Sequence, residues 1–146
     1  MIQMKKSGVV VCFILFCANG MAYAQEPAPK STSAGVFTEE QAQRGASAYN
    51  ANCSGCHGVK LLSIGPQFPN LAGRSFRSGW VGKTIGEKFE FVRTMMPPKA
   101  GRSLGDQVYL DIVTYILRFN KIPAGSQPLT PDLPVLNQIE ISAPAR

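Results

Sequence analysis

The most constraining feature of the sequence is the five-residue motif Cys53-Ser54-Gly55-Cys56-His57. One helical turn would put both cysteines on the same side of the chain, where their thiols can add to the two vinyl groups of one haem. The imidazole of His57 would then lie beneath the porphyrin, within reach of the iron. The C-x-x-C-H spacing is a specific signature of haem attachment, whereas C-x-x-C alone is ambiguous. The motif therefore predicts one covalently attached haem c.

The first 24 residues have the pattern of a secretory signal peptide. Lys5 and Lys6 precede an apolar run over 9–16, and Ala22-Tyr23-Ala24 gives the small-x-small pattern that signal peptidase recognises. The apolar run is too short for a permanent membrane span. An uncleaved N-terminal anchor is the alternative. We expect cleavage after Ala24 and export to the periplasm.

Export leaves few alternatives for the motif. A redox dithiol would need a strand-helix context, and no strand pattern precedes Cys53. A zinc site would need two further ligands, yet Cys12 and Cys17 leave with the signal peptide and the chain has one histidine. A disulfide between Cys53 and Cys56 would close a loop too small to restrain the unfolded chain. The remaining alternative is a chance match.

Helix signals predict an all-α domain with long loops. Thr38 and Gln41 form a capping box for a first helix that ends near residue 50, and Thr84 and Glu87 form one for a second helix that ends near residue 94. Apolar residues at spacings of three and four predict a third helix over about 106–119. We expect loop over most of 58–82, and no strand pattern is present.

Composition divides the rest of the chain. Residues 25–36 are rich in Pro, Ala and Ser and predict a flexible leader. Residues 37–121 form the predicted helical domain, and residues 122–146, which contain several prolines, predict a tail that wraps its surface as coil or short turns. No basic run interleaved with aromatic residues indicates nucleic-acid binding.

The iron needs a sixth ligand or an open position. Without a second histidine, a methionine thioether is the natural donor, and such a ligand raises the reduction potential. The predicted mature chain contains Met95 and Met96 alone. Met96 is favoured because Pro97 and Pro98 would hold its backbone extended. A methionine can also simply fill a gap in a core.

Two further residues are candidates for contact with the haem or its histidine. The backbone carbonyl of Gly65-Pro66 could accept the Nδ1 proton of His57 and so orient the ring, although a simple turn fits this pair equally well. Trp80 could pack on the haem edge or donate its indole N–H to a propionate. Burial of Trp80 in an apolar core is the alternative.

The sequence from Thr38 to Phe119 resembles a class I c-type cytochrome with one haem. Gly45 and Tyr49 match the first helix of that family, and Ile112 and Tyr115 match the last. The resemblance implies that these two helices cross closely, with the glycine admitting the partner helix. It also implies that Pro66 supplies the carbonyl that holds the haem histidine, and that the methionine before Pro-Pro, Met96, is the axial ligand.

The segments 94–98 and 109–117 are more narrowly similar to the cytochrome c subunits of bacterial quinoprotein (PQQ) alcohol dehydrogenases. Gly105 stands where that pattern usually has a serine cap. Lys121 stands where a glycine commonly follows Asn120, so Asn120 itself would take the left-handed turn.

Two filled axial positions would leave no place for a substrate, so we expect an electron carrier and not an enzyme. Its partners would be redox proteins, with a quinoprotein dehydrogenase as donor and a terminal oxidase or another cytochrome as acceptor. The alternatives are a permanent cytochrome subunit of a dehydrogenase and an open-site haem that acts as a peroxidase or gas binder.

Overall fold

The computed structural model describes residues 31–144, so the predicted signal peptide and residues 25–30 of the predicted leader lie outside the described residues. Within this range the chain forms helices and loops, with isolated β-bridges and no strand. The prediction of an all-α fold is therefore confirmed. A short 3-10 turn at Thr32–Ala34 precedes six helices: α1 Glu39–Asn52, α2 Ser54–His57, α3 Gly73–Gly79, α4 Ile85–Met95, α5 Asp106–Phe119 and α6 Leu133–Leu136. In residues 31–144, no helix combines the length and the apolar character that a membrane crossing requires.

The long helices α1 and α5 pack directly against each other. A Cβ added to Gly45 would lie 1.8 Å from the backbone oxygen of Asp111, so only glycine lets the two helices approach this closely. One turn further along α1, the rings of Tyr49 and Tyr115 are 5.2 Å apart, at a tilted angle that aromatic pairs favour. The close crossing implied by the family resemblance is therefore present.

Side-chain caps fix where α1 and α4 begin. Thr84 and Glu87 form the predicted capping box of α4, with reciprocal hydrogen bonds of 3.1 and 2.7 Å. Thr38 caps α1 by accepting the N–H of Gln41 at 3.1 Å. The Gln41 side chain does not complete the predicted box, because it is buried and hydrogen-bonds elsewhere.

The predicted loop over 58–82 contains a helix that the sequence did not indicate. Helix α3 has Ala72 at its N-cap, which offers no side-chain hydrogen bond, and begins and ends with glycine. Its formation depends on packing, since Phe76 is fully buried and its ring stacks on Trp80 at 5.6 Å. A short helix without caps carries no strong local signal.

The flexible leader predicted for residues 25–36 is wrong over residues 31–36. Thr32 is fully buried, its N–H donates to the Glu140 carbonyl at 2.9 Å, and its Oγ1 accepts the N–H of Ser142 at 3.0 Å. Further along the segment, Val36 belongs to the hydrophobic core, as does Phe37 immediately after it. The hydrogen bonds of Thr32 join residues 108 and 110 positions apart in sequence, so no local pattern could indicate them.

The C-terminal tail also differs from the expected surface wrap. Leu136, Ile139 and Ile141 are buried, and Ile141 exchanges backbone hydrogen bonds of 2.9 and 2.8 Å with Gly82 and Lys83. The tail therefore completes the core beside the start of α4.

The turn after α5 differs by one position from the prediction. Lys121, not Asn120, adopts the left-handed conformation, with φ of 68° for Lys121 and −84° for Asn120. The side chain of Asn120 is engaged instead, because it accepts the N–H of Gly73 at 3.1 Å and donates to the Leu71 carbonyl at 2.8 Å. Asn120 thus ties the end of α5 to the start of α3.

The variant Gly45→Ala should lower the stability of the holoprotein by about 1–3 kcal/mol, because its Cβ would meet backbone atoms that cannot move aside. Chemical denaturation followed by far-UV circular dichroism measures the loss. In the control Gly105→Ser, the new Cβ meets no atom within 4 Å, and the added cap changes stability by only a few tenths of a kcal/mol. Equal stability of Gly45→Ala and wild type would contradict the close crossing.

Candidate haem site

A cavity of about 590 Å³ lies among helices α1 to α5, within the size range typical of cofactor pockets. The motif residues Cys53, Cys56 and His57 form part of its wall. Val92 of α4 and Ile112 of α5 are among the apolar residues that complete the wall. The cavity is therefore mainly apolar and carries the predicted attachment residues at its surface.

The motif adopts the single helical turn that its spacing predicts. The N–H groups of Cys56 and His57 donate to the Cys53 carbonyl at 3.2 and 3.0 Å. Both cysteines are half-buried and form no disulfide. Tyr49 braces the turn, since its fully buried hydroxyl donates to the Gly58 carbonyl at 2.8 Å. The two thiols and the imidazole are thereby directed to one cavity.

The histidine is oriented by a different proline from the one predicted. His57 Nδ1 lies 2.9 Å from the Pro69 carbonyl, whereas Pro66 is exposed and does not line the cavity. A carbonyl oxygen can only accept, so Nδ1 carries the proton and Nε2 is left to bind a metal. The loop brings Pro69 to this position through the hydrogen bond of 2.8 Å from Leu71 N–H to the Leu61 carbonyl.

The two methionines have different surroundings. Met96 is half-buried and lines the cavity, while Met95 is 56% exposed and does not. Met96 has the extended backbone expected before proline, with φ of −120° and ψ of 144°. Tyr109, which sequence reasoning missed, donates its hydroxyl to the Met96 carbonyl at 2.9 Å. This contact joins α5 to the segment that carries Met96.

Trp80 is buried in the apolar core and also borders the cavity, so the two predicted alternatives for this residue are compatible. It is only 7% exposed and stacks on Phe76, yet it also lines the cavity. The Lys88 ammonium lies 5.4 Å from its ring centroid, within the range of a cation–π contact. Trp80 is thus a core residue with one surface on the cavity.

The chemistry of the cysteines fits haem attachment better than the rival sites. Burial, reinforced by the neighbouring Cys56, raises the pKa of the Cys53 thiol to about 11. Redox dithiols instead have a nucleophilic cysteine with a lowered pKa. Within residues 31–144, no three His, Cys, Asp or Glu side chains form a group that could hold a metal ion. Two thiols and one imidazole on the wall of a largely apolar cavity match the groups that attach and bind a haem c.

An all-α fold with a C-x-x-C-H turn at a largely apolar cavity defines a c-type cytochrome. A family model described as "Cytochrome C oxidase, cbb3-type, subunit III" matches residues 40–116, just over half of the chain, and the chain belongs to this family of cytochrome c domains. It is therefore a class I c-type cytochrome that binds haem c covalently and carries electrons.

A similar curated protein is cytochrome c1 of Rhodobacter capsulatus, 29% identical over 118 residues. The match covers 70% of this chain but only 42% of that relative. Among solved structures, the sulfane dehydrogenase SoxCD from Paracoccus pantotrophus aligns with a TM-score of 0.49 and 21% identity, covering 82% of this chain and 68% of that one.

The variant Tyr49→Phe should lower holoprotein stability by about 1–3 kcal/mol, because the buried Gly58 carbonyl would lose its donor next to the motif. Denaturant unfolding followed by haem absorbance measures the change. Tyr115→Phe is the matched control. It keeps the ring against Tyr49 and removes a hydroxyl that forms no hydrogen bond within residues 31–144. Equal losses in both variants would contradict a specific role of the Tyr49 hydroxyl.

Proposed function

We propose that this protein is an exported, periplasmic electron carrier in which His57 and Met96 are the axial ligands of the haem iron. The observation that supports the proposal most strongly is the position of Met96 on the wall of the cavity that His57 also lines. His57 is oriented through Nδ1, which leaves Nε2 for the iron. With both axial positions filled, a substrate has no access to the metal, so the open-site peroxidase or gas binder is disfavoured.

When bound, the haem supplies a one-electron couple. Residues of the chain fix the position of the groups around the haem. The Tyr49 hydroxyl fixes the attachment turn, and the Tyr109 hydroxyl fixes the backbone of Met96. Ile112 and Ile116 present apolar surface to the cavity and exclude water from it. A site held in this way changes little between oxidation states, which favours fast electron transfer.

The partners that we propose are redox proteins. A quinoprotein dehydrogenase would be the donor, and a terminal oxidase or another cytochrome the acceptor. A permanent cytochrome subunit of a dehydrogenase complex would use the same site and differ only in stoichiometry. Purification of the protein from its own periplasm distinguishes the two, because a free carrier elutes alone and a subunit elutes in a constant ratio with its enzyme.

The variant Met96→Ala should lower the reduction potential and open the iron to cyanide or carbon monoxide, because the thioether would no longer occupy the sixth position. Met95→Ala is the matched control and should do neither, since Met95 projects into solvent. Redox titration and ligand-binding spectra provide the measurements. The reverse result would identify Met95 as the ligand.

The basic residues near the cavity suggest how partners approach. Between residues 57 and 102 the chain has eight basic and two acidic residues. Lys83, Arg93 and Arg102 form ion pairs within this region. Arg74 and Arg77 are exposed on α3, adjacent to Ser75 and Ser78, which line the cavity. An uncompensated positive rim would steer an acidic partner toward the haem.

Electron transfer with the natural partner should therefore slow as the salt concentration rises, because screening weakens the steering. The double variant Arg74→Glu/Arg77→Glu should weaken or invert this dependence in stopped-flow measurements. Lys121→Glu is the control, because Lys121 is exposed and lines a separate groove between α1 and α5. Rates that stay constant across a wide range of salt would indicate an apolar contact instead.

A further inference from the structure

Lys88 is an unusual member of the cavity wall. Among the described residues that line this cavity, it is the one Asp, Glu, Lys or Arg side chain. The other polar groups on the wall are uncharged hydroxyls and amides, such as those of Ser75, Ser78 and Asn52, apart from His57 and the thiols of the attachment motif. The cavity therefore has a single fixed positive charge and no negative charge to neutralise it.

The position of Lys88 follows from the register of α4. Lys88 and Val92 lie four residues apart on one face of α4, and Met96 follows after the same interval as the residue just beyond the helix end. All three line the cavity. At 1.5 Å per residue, Lys88 and Met96 are separated by roughly 12 Å along the helix axis. A group that contacts Met96 at its centre would therefore approach Lys88 with its periphery.

The ammonium of Lys88 is held in place and only partly hydrated. It lies 5.4 Å from the ring centroid of Trp80, which is itself buried. Desolvation lowers the pKa of Lys88, the charge of Lys83 lowers it further, and Glu87 acts in the opposite direction. Glu87 is engaged elsewhere, since it accepts the N–H of Thr84 and lies 3.9 Å from Lys83. Lys88 forms no ion pair within residues 31–144.

Occupation of the cavity would remove more water from this ammonium. A buried charge without a partner is costly, and it is retained in proteins mainly where an opposite charge meets it. The wall offers no carboxylate, but a haem carries two propionate carboxylates at its periphery. We infer that Lys88 binds a haem propionate, with the Trp80 ring packed against the ammonium to set its direction. The inference rests on haem binding in this cavity and does not depend on which methionine binds the iron.

The ion pair would have a measurable effect on the redox couple. A fixed positive charge near the iron disfavours the ferric state, which carries one more positive charge than the ferrous state. Removal of Lys88 would both delete that charge and leave a propionate uncompensated, and the two effects have the same sign. Lys88→Gln should therefore lower the reduction potential.

The test compares three purified holoproteins with the wild type: Lys88→Gln, Lys88→Arg and the control Lys83→Gln. Lys83 lies at the same end of α4 but is exposed and does not line the cavity. In Lys88→Gln we expect the ferric-to-ferrous ratio at a fixed ambient potential to rise about tenfold, which corresponds to about 59 mV for a one-electron couple. Lys88→Arg should restore most of the potential, and Lys83→Gln should leave it unchanged.

A second readout distinguishes a direct ion pair from a general effect of charge. The haem propionate protons are followed by NMR across a pH range in the wild type and in Lys88→Gln. Lys83 and Glu87 stay intact in both proteins, because they are the other charged groups that act on Lys88. In Lys88→Gln the propionate should titrate at a higher pH than in the wild type, since its ionised form has lost its partner. An unchanged propionate titration, an unchanged potential, or an equal shift in Lys83→Gln would each overturn the inference. Any of these results leaves the axial ligation unaffected, because that is read from the Met96→Ala and Met95→Ala spectra.

Discussion

The close packing of α1 against α5 is the contact on which the rest of the structure depends. Gly45 has no side chain and so allows the α1 backbone to reach that of α5 beside Asp111. The end of α1 leads directly into the attachment turn through Cys53, which flanks both helices. The opposite partner, α5, carries Tyr109, whose hydroxyl holds the carbonyl of Met96. One helix crossing therefore positions both the motif and the segment with the proposed sixth ligand.

A buried polar network reinforces this crossing and attaches the tail to it. The Gln41 amide donates to Asp111 and to the Leu129 carbonyl, both at 3.0 Å, and its oxygen accepts the Leu129 N–H at 2.8 Å. Arg44 pairs with the same aspartate at 2.9 Å. Because each polar atom of the buried Gln41 amide has a hydrogen-bond partner, burial of this network costs little desolvation free energy. The network also favours one arrangement of α1, α5 and the tail.

When bound in the cavity, the haem would form part of the core of this protein. A cavity of about 590 Å³ lies among helices α1 to α5 of a small domain, and the residues around it are largely apolar. A domain of this size buries limited surface by itself, so a large internal space without its ligand would remove much of the packing that stabilises it. The same apolar residues would limit the access of water to a haem bound there. Stability and redox function thus depend on the same contacts.

Local sequence signals predicted the helices with strong caps or strong periodicity and the attachment motif. They also favoured Met96 over Met95 as the axial ligand, and Met96 is the methionine of this pair that lines the cavity. These features depend on neighbours within a few residues, where spacing and proline chemistry act directly. The tertiary structure alone decided which proline faces His57, because Pro66 and Pro69 lie in one loop and only its folding brings Pro69 to the ring. It also decided that residues 31–36 are packed and not a flexible leader, and that Lys88 lies on the cavity wall. Such features arise from contacts between residues distant in sequence, which no local pattern encodes.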